Sequence, residues 1–146
     1  CTILEKITFP QSLKYIGNKA FIGCYLITEV IIPASIKSLG GNIFSGCQCL
    51  RSAIFQNGSY AVGASMFSSC PELTNVELPV SIKLIEGGAF KNCKHLYSVN
   101  LPASIQYIGP SAFEGCPKSL QEQIPEIDSN KGYAIHLEWL FRDVEY

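Results

Sequence analysis

The sequence predicts a solenoid, in which short units of one pattern stack on one another, and three regularities indicate it. The first is a column of cysteines spaced 23 residues apart, at Cys1, Cys24, Cys47, Cys70, Cys93 and Cys116. The second is an aromatic column at the same spacing, at Phe21, Phe44, Phe67, Phe90 and Phe113. The third is a recurrent proline, at Pro10, Pro33, Pro79, Pro102 and Pro125. A strict period of this length indicates a repeated structural unit rather than a reactive site.

Each unit opens with a short stretch in which apolar and polar residues alternate. In the first unit Ile7 and Phe9 alternate with Lys6 and Thr8, and this period of two is typical of a strand with one buried face. The later units repeat the stretch in residues 29–32, 52–55, 75–78 and 98–101. One strand per unit, all running the same way, predicts a parallel sheet whose strands lie about 4.8 Å apart.

The remainder of each unit leads back to the start of the next strand. Proline has no backbone N–H to donate to the hydrogen bonds between strands, so it is expected to end the strand. The serine-aliphatic segment after it is expected to return along the other side, with a second short strand as one option. A glycine column then permits a positive φ where the turn needs one, at Gly17, Gly40, Gly63 and Gly109. The segment that ends in phenylalanine is predicted to be a 3₁₀ turn or one short α turn.

Two units depart from the pattern. In the third unit Gln56, Gly58 and Ser59 replace the proline, the serine and the aliphatic residue. Ser59 would therefore bury a hydroxyl, and we expect a local irregularity near residues 56–61. In the fourth unit Glu86 replaces the column glycine, so that turn is not expected to require a positive φ.

The chain divides into two parts. Residues 1–125 hold five units and a partial sixth, in which Leu120 and Ile124 echo another strand. Residues 126–146 are interpreted as a C-terminal cap, because an open solenoid end exposes its core, or as a flanking segment that leads into a further domain. The chain begins in the middle of the repeat pattern, so we interpret it as a piece of a longer protein.

The C-terminal part has its own predicted elements. Residues 126–132 are predicted to be a loop. Residues 133–141 alternate between apolar and other side chains, which favours a strand, although the length of the segment also permits a helix.

The repeated unit resembles that of BspA-like leucine-rich repeats, which are known from bacterial and protozoan surface proteins. Their pattern is C-x-x-L-x-x-I-x-x-P-x-S-I-x-x-I-G-x-x-A-F-x-x-C, and residues 70–90 and 93–113 match it nearly position for position. The resemblance covers residues 1–125. It implies a leucine-rich-repeat solenoid with one short parallel strand per repeat on the concave face, and turns with short 3₁₀ or α turns on the other side. It also implies a surface or secreted protein that binds a protein ligand, such as a host or matrix protein.

The cysteine column is expected to be structural. Equivalent Cα atoms in neighbouring units would lie about 5 Å apart, a separation that a disulfide can bridge. Stacked side chains nevertheless point in parallel, which favours reduced, buried thiols over disulfides. A metal site is the remaining alternative, but six thiols spread over about 25 Å cannot form one tetrahedral shell. Cys49 lies outside the column and is expected to be partly exposed.

Composition and charge argue against two kinds of partner. Of the 146 residues 16% are charged, compared with about 25% in an average domain. The net charge of −1 and the pI near 6.1 do not suggest the basic surface of a nucleic-acid-binding protein. Proline and charged residues interrupt every unit, so no apolar run reaches the roughly 18 residues of a membrane span. We therefore expect neither nucleic-acid binding nor membrane insertion.

No motif predicts an enzyme. The sequence lacks the phosphate-binding loop, the nucleophile elbow, the H-E-x-x-H zinc motif and the dinucleotide fingerprint. His95 follows Cys93 by two residues, but Cys93 belongs to the buried column and His95 occupies a variable position. Glu29 and Glu77 share one sheet face about 10 Å apart, which is loose for a glycosidase pair. We predict a protein without catalytic residues, metal or cofactor.

The outward side chains of the strands are predicted to form a protein-binding face. Solenoid curvature makes such a face an extended concave surface. Ile31 and Ile54 would be adjacent and solvent-facing, and with Arg51 and Tyr97 they are the best candidate anchors. The candidate face comprises Lys6, Thr8, Glu29, Ile31, Arg51, Ser52, Ile54, Asn75, Glu77, Tyr97, Ser98 and Asn100.

These features together predict a non-enzymatic module for protein binding, adhesion or recognition within a larger surface or secreted protein. One alternative is an intracellular scaffold or regulatory repeat domain, which a signal peptide on the full-length protein would exclude. Another is a repeat appendage to an enzyme whose catalytic domain lies outside this chain.

Overall fold

The computed structural model describes residues 5–125, 127 and 129–141, and it shows a solenoid of parallel strands. Each of the first four units contains two strands, and the fifth contains one. The strands are β1 (Glu5–Thr8), β2 (Tyr15–Ile16), β3 (Ile27–Ile32), β4 (Ser38–Leu39), β5 (Ser52–Phe55), β6 (Ala61–Val62), β7 (Asn75–Glu77), β8 (Leu84–Ile85) and β9 (Tyr107–Ile108). Two helices follow, α1 (Lys118–Gln121) and α2 (Ser129–Phe141).

The first strand of each unit belongs to one parallel sheet in the order β1-β3-β5-β7, which confirms the strand predicted for the first four units. The register is one repeat, since Ile7 pairs with Val30, Val30 with Ala53, and Ala53 with Val76. These four side chains pack into the hydrophobic core. Because side chains alternate along a strand, the residues between them face outward.

The strand predicted for the fifth unit is wrong, because residues 98–101 form no strand. Val99 still packs in the core, so the chain follows the same course without the ladder. Two features oppose pairing here. Asn100 is a poor strand former, and the sixth segment folds as α1 instead of supplying a further strand on the outer side.

The second, shorter strands form two separate parallel sheets on the other side, β2-β4 and β6-β8-β9. The ladder is interrupted between β4 and β6, where the third unit departs from the pattern. The turn within that unit is kept, because Ser59 N–H donates to the Gln56 carbonyl at 3.0 Å as Leu13 N–H does to Pro10. The expected irregularity is present at Gly58, whose φ of 98° is positive where the equivalent serines of the other units have none, and the ladder of short strands is broken between β4 and β6.

The glycine column provides close approach of neighbouring turns and not a left-handed backbone. A positive φ does not occur at Gly17, Gly40, Gly63 or Gly109. A Cβ on Gly40 would overlap the backbone nitrogen of Asn18, and one on Gly109 would overlap that of Gly87. Residues with a positive φ instead lie on either side of the column phenylalanine of each unit, in two columns with the same 23-residue period. The first column is Lys19, Asn42, Ser65, Gly88 and Ser111, and the second is Gly23, Gly46, Ser69, Asn92 and Gly115. The positive φ allowed for at the glycine column was thus the wrong explanation, while Glu86 lacks one as expected.

Two side-chain columns run next to each other through the core. The rings of the five column phenylalanines stack with centroids 5.3–5.6 Å apart and planes 6–16° from parallel. Four thiols of the cysteine column each donate a hydrogen bond to a phenylalanine carbonyl 26 residues earlier, at 3.1–3.3 Å: Cys47 to Phe21, Cys70 to Phe44, Cys93 to Phe67, and Cys116 to Phe90. The two columns therefore join each unit to the one before it.

The described cysteines of the column are free thiols, and all except Cys24 are buried. Burial raises the pKa of Cys47 to about 11 and that of Cys93 to about 12, so these thiols stay protonated at neutral pH. Cys1 lies outside the described residues. Cys49 is half-buried and disulfide-bonded.

Residues 129–141 form α2, so the strand favoured for residues 133–141 is wrong, and the helix that the length of the segment also permitted is present. The loop predicted for residues 126–132 is also wrong from Ser129 onward, where α2 begins. Among residues 132–139 of α2, whose burial the structure describes, the buried and half-buried ones are Gly132, Ile135, His136 and Trp139. Their spacing of three and four residues is a helical stripe, whereas Leu137, which completed the apparent alternation, is exposed.

Helix α2 lies against β8 and β9, on the side of the solenoid that carries the shorter strands. A Cβ on Gly132 would overlap the carbonyl of Gln106 and come within 2.8 Å of the Tyr107 Cβ, so the glycine lets the helix pack directly on the strand. The helix thus covers the side of the last units. Its role as a cap on the open end stays a prediction, and residues 126, 128 and 142–146 of that segment lie outside the described part.

Candidate functional site

The outward residues of the first sheet stand in two rows across its strands. The first row is Lys6, Glu29, Ser52 and Asn75, and the second is Thr8, Ile31, Ile54 and Glu77. We call these eight side chains the strand face. The rows arise because the register between units is one repeat, so equivalent residues lie next to each other.

The centre of the strand face is apolar. Ile31 and Ile54 are register partners in β3 and β5, and both are partly exposed. Register partners in adjacent strands lie about 4.8 Å apart, so the two side chains form one patch. Thr8 precedes them in the row and Glu77 follows, which places the apolar pair between polar neighbours.

Polar contacts orient the first row. Lys6 Nζ lies 3.5 Å from Glu29 Oε2. Asn75 Nδ2 donates to Ser52 Oγ at 3.0 Å and to Glu77 Oε2 at 3.4 Å. An exposed ion pair stabilises a fold by at most about 1 kcal/mol, so these contacts position side chains more than they hold the solenoid together.

Three other predicted face residues lie at the margin of the sheet. Arg51, directly before β5, is exposed. Ser98 and Asn100 are exposed as well, but their segment is unpaired. A cleft of about 340 Å³ lies between them and the side chains of β7. These two residues therefore line a notch at the end of the sheet rather than a further pair in its rows.

Tyr97 does not lie beside the isoleucine pair, because it belongs to the fifth unit and Ile54 to the third. It is 56% exposed, and its ring meets that of His95 edge-on with centroids 6.2 Å apart. His95 Nδ1 lies 2.7 Å from the Pro71 carbonyl oxygen. Tyr97 is thus an exposed ring at a distance from the proposed central anchors.

The residues considered for catalysis are not brought together. The buried Cys93 thiol donates to the Phe67 carbonyl at 3.1 Å, and burial raises its pKa to about 12. Such a thiol is a poor nucleophile, because the thiolate is the reactive form. His95 is exposed, and its ring contacts the Pro71 carbonyl instead. Glu29 and Glu77 stand in different rows, two strands apart.

The described part of the chain also bears on two other kinds of site. Within it, no three His, Cys, Asp or Glu side chains are grouped as metal ligands would be. None of the helices in that part has the length and apolar character needed to cross a membrane.

A buried ionisable pair that the repeat pattern does not predict lies beneath α2. Glu86 follows β8 in the glycine column and is 3% exposed. His136 of α2 places Nδ1 2.7 Å from Glu86 Oε2. The other carboxyl oxygen, Oε1, is buried without a hydrogen-bond partner among the described residues, and His136 Nδ1 likewise makes no hydrogen bond of good geometry, so the 2.7 Å contact is an ion-pair contact. A carboxylate in place of a column glycine was the available signal, because a buried charge needs a partner.

Aromatic rings surround this pair. The Tyr107 ring stacks on His136 with centroids 4.6 Å apart, and the Tyr133 ring lies at 5.6 Å. Burial raises the pKa of the Glu86 carboxyl, while the adjacent His136 ring acts in the opposite direction. Burial also raises the pKa of Tyr107, and the charges of Glu86 and Tyr133 add to this. The surroundings therefore disfavour negative charge.

The irregular third unit accommodates the end of α2. Trp139 is 7% exposed, and its ring stacks on Tyr60 with centroids 5.9 Å apart. It borders Ser59 and Ala61 at the gap between β4 and β6. The fourth unit has isoleucine and leucine at these two positions. The smaller residues make room for the tryptophan, and the Ser59 hydroxyl is buried as expected, without a partner among the described residues.

The fold and its two faces define a solenoid repeat module, with the strand face on one side and a helix-covered face on the other. The family model of the BspA type leucine rich repeat region matches residues 1–126 in six copies. The chain belongs to the BspA-type leucine-rich repeat family. The comparison with curated proteins gives no significant match.

Solved bacterial structures share the fold. A leucine-rich repeat protein from Bacteroides ovatus is 25% identical, with a TM-score of 0.62 over 87% of this chain and 41% of its own. One from Eubacterium ventriosum is 23% identical, with a TM-score of 0.56 over 85% of this chain and 44% of its own. The chain thus spans less than half the length of these two proteins.

Proposed function

We propose that this module binds a protein through the strand face, with Ile31 and Ile54 as central anchors. The observation that supports the proposal is the apolar pair, in register and partly exposed, at the centre of a polar sheet surface. Protein interfaces commonly have an apolar centre and a polar rim, and a few central residues supply most of the binding energy. A hydrogen-bonded sheet offers such a centre on a rigid support.

The charges around the pair suit a protein partner of mixed charge. Lys6 and Arg51 are basic, and Glu29 and Glu77 are acidic, so neither sign dominates the rim. A nucleic acid would require an excess of positive charge on this face. The mixed rim instead supplies orientation and discrimination among protein surfaces.

We further propose that the module belongs to a surface or secreted protein with an adhesive or recognition role. Membership of the BspA-type family supports this assignment. An intracellular scaffold and an enzyme appendage use the same fold, so the location of the full-length protein distinguishes among them. Protease accessibility on intact cells should show the repeats outside the cell or in the medium. Recovery of the protein only from the cytoplasm would contradict the surface assignment.

Aspartate substitution of both isoleucines tests the binding proposal. A partner retained by the wild-type chain is purified and titrated calorimetrically against Ile31→Asp/Ile54→Asp. Binding should weaken by at least about 30-fold, because one central anchor commonly contributes about 2 kcal/mol or more. The matched control is Val80→Asp, since Val80 is apolar, 81% exposed and outside the sheet. Equal affinity of the double variant and the control would reject the proposal.

A further inference from the structure

Helix α2 is held against the solenoid by a contact with an ionisable pair at its centre. The side chain of Glu86 is 4% exposed and that of His136 is 17% exposed. We propose that the Glu86–His136 pair is a proton-dependent latch, which holds α2 firmly in mildly acidic solution and releases it as the solution becomes alkaline. Release would uncover the aromatic side chains of Tyr60 and Tyr107 beneath the helix.

The burial of the carboxylate makes the contact depend on protons. Glu86 Oε2 has the His136 ring at 2.7 Å, whereas Oε1 has no hydrogen-bond partner among the described residues. If neither group carried a proton, an unpaired negative charge would be buried beneath the helix, which is strongly unfavourable. The docked state therefore retains one proton on the pair, either on the imidazole or on the carboxyl.

Release of the helix removes this requirement. A solvated glutamate titrates near pH 4.3 and a solvated imidazole near pH 6.5, both as approximate ordinary values. Above about pH 6.5 the released state holds no proton on either group, so docking must take one up. Between these two values both states hold one proton, so the stabilisation is complete there, and it is lost as the pH rises above about 6.5. The docking equilibrium constant should therefore fall by up to about tenfold per pH unit above pH 6.5.

The neighbouring titratable groups respond in a different pH range. From β9 Tyr107 stacks on His136, and from α2 itself Tyr133 lies one turn before it. A tyrosine hydroxyl ordinarily titrates near pH 10, and burial raises the pKa of Tyr107 further. Neither tyrosine therefore adds a pH dependence in the range below about pH 9.

The single tryptophan of the chain reports on docking, because Trp139 is 7% exposed against Tyr60. Its emission and the hydrogen-exchange protection of residues 129–141 are measured from about pH 5.5 to 8.5, with correction for the intrinsic pH dependence of exchange. Protection in the wild-type chain should fall by up to about tenfold per pH unit above pH 6.5, with a red shift in emission. Protection of β3 and β5 should stay constant.

Three variants separate the latch from a purely structural contact. Glu86→Gln should abolish the fall of protection above pH 6.5, because no buried carboxylate then requires a proton. His136→Gln leaves the buried Glu86 carboxyl to take up the proton alone, so its protection should fall with pH from the start of the range, below pH 6.5 as well as above it. Glu86→Gly restores the column glycine, keeps the solenoid turn regular and should also remove the slope. His95→Gln is the control, because His95 is exposed and contacts the Pro71 carbonyl, so the slope should persist. Protection of wild-type α2 that is independent of pH, or a slope above pH 6.5 that survives in Glu86→Gln, would overturn the proposal.

Discussion

Replacing Phe67 with alanine removes the central ring of the phenylalanine column. Phe67 is fully buried, stacks on Phe44 and Phe90 at 5.6 Å each, and meets Phe55 edge-on at 6.1 Å. Truncation of a buried phenylalanine costs about 3–5 kcal/mol. Three aromatic contacts place this residue near the upper end of that range. We expect the free energy of unfolding to fall by about 4 kcal/mol or more.

Urea unfolding followed by circular dichroism measures this loss. With a denaturant dependence of about 2 kcal/mol per molar urea, the midpoint should fall by about 2 M. The stability of a solenoid is close to a sum over units and their interfaces. Loss of a central interface should therefore also uncouple the two ends, which broadens the transition or divides it in two.

Phe21→Ala is the matched control. Phe21 is half-buried in the first unit, stacks only on Phe44, and meets Phe9 edge-on at 5.9 Å. Its replacement should cost about half as much as that of Phe67 and leave a single transition. Equal losses for the two variants, or a loss below about 1 kcal/mol for Phe67→Ala, would refute the idea that the stacked columns join the units.

Three further substitutions or reactions test other contacts. Gly40→Ala should lower the urea midpoint more than Gly23→Ala does. A Cβ on Gly40 would overlap the backbone of the preceding unit, whereas a Cβ on Gly23 would meet open space and would cost only the strain of its left-handed φ, about 1–2 kcal/mol. Equal losses for the two variants would contradict this reasoning. In thiol labelling at pH 8, half-buried Cys24 should react before Cys70, because burial raises the pKa of the Cys70 thiol. Fast labelling of both thiols would show that the cysteine column is accessible to solvent. Gly132→Ala should shift tryptophan emission to the red, since a Cβ there would overlap the carbonyl before β9; unchanged emission would show that the contact tolerates a side chain.

The repeat period predicts most of the fold because each column keeps one local environment. Once Cys70 and Phe67 are assigned to the core, counting from them places Ile31 and Ile54 at outward positions in register. The same count cannot show where a ladder ends. The missing strand at residues 98–101 depends on the neighbouring segment, which becomes α1 and lies outside the regular pattern.

The contact beneath α2 could not be predicted from the period, because one of its partners is not part of a repeat. Glu86 is visible in the sequence as a departure from the glycine column, but no spacing rule places His136 above it. The alternation of apolar and other residues around Trp139 suits a strand as well as a helix. Packing against the shorter strands β8 and β9 decides in favour of the helix. The departures at Ser59 and Glu86 share one explanation, since both residues lie where α2 packs.

Hydroxyl-radical footprinting of the module, alone and bound to a purified protein partner, tests the strand-face proposal most directly. If the strand face binds the partner, oxidation of Ile31 and Ile54 should fall several-fold on binding. Oxidation of Val80 and Tyr133, which are exposed elsewhere, should not change. Protection of Val80 or Tyr133, with Ile31 and Ile54 oxidised as in the free module, would contradict the proposal.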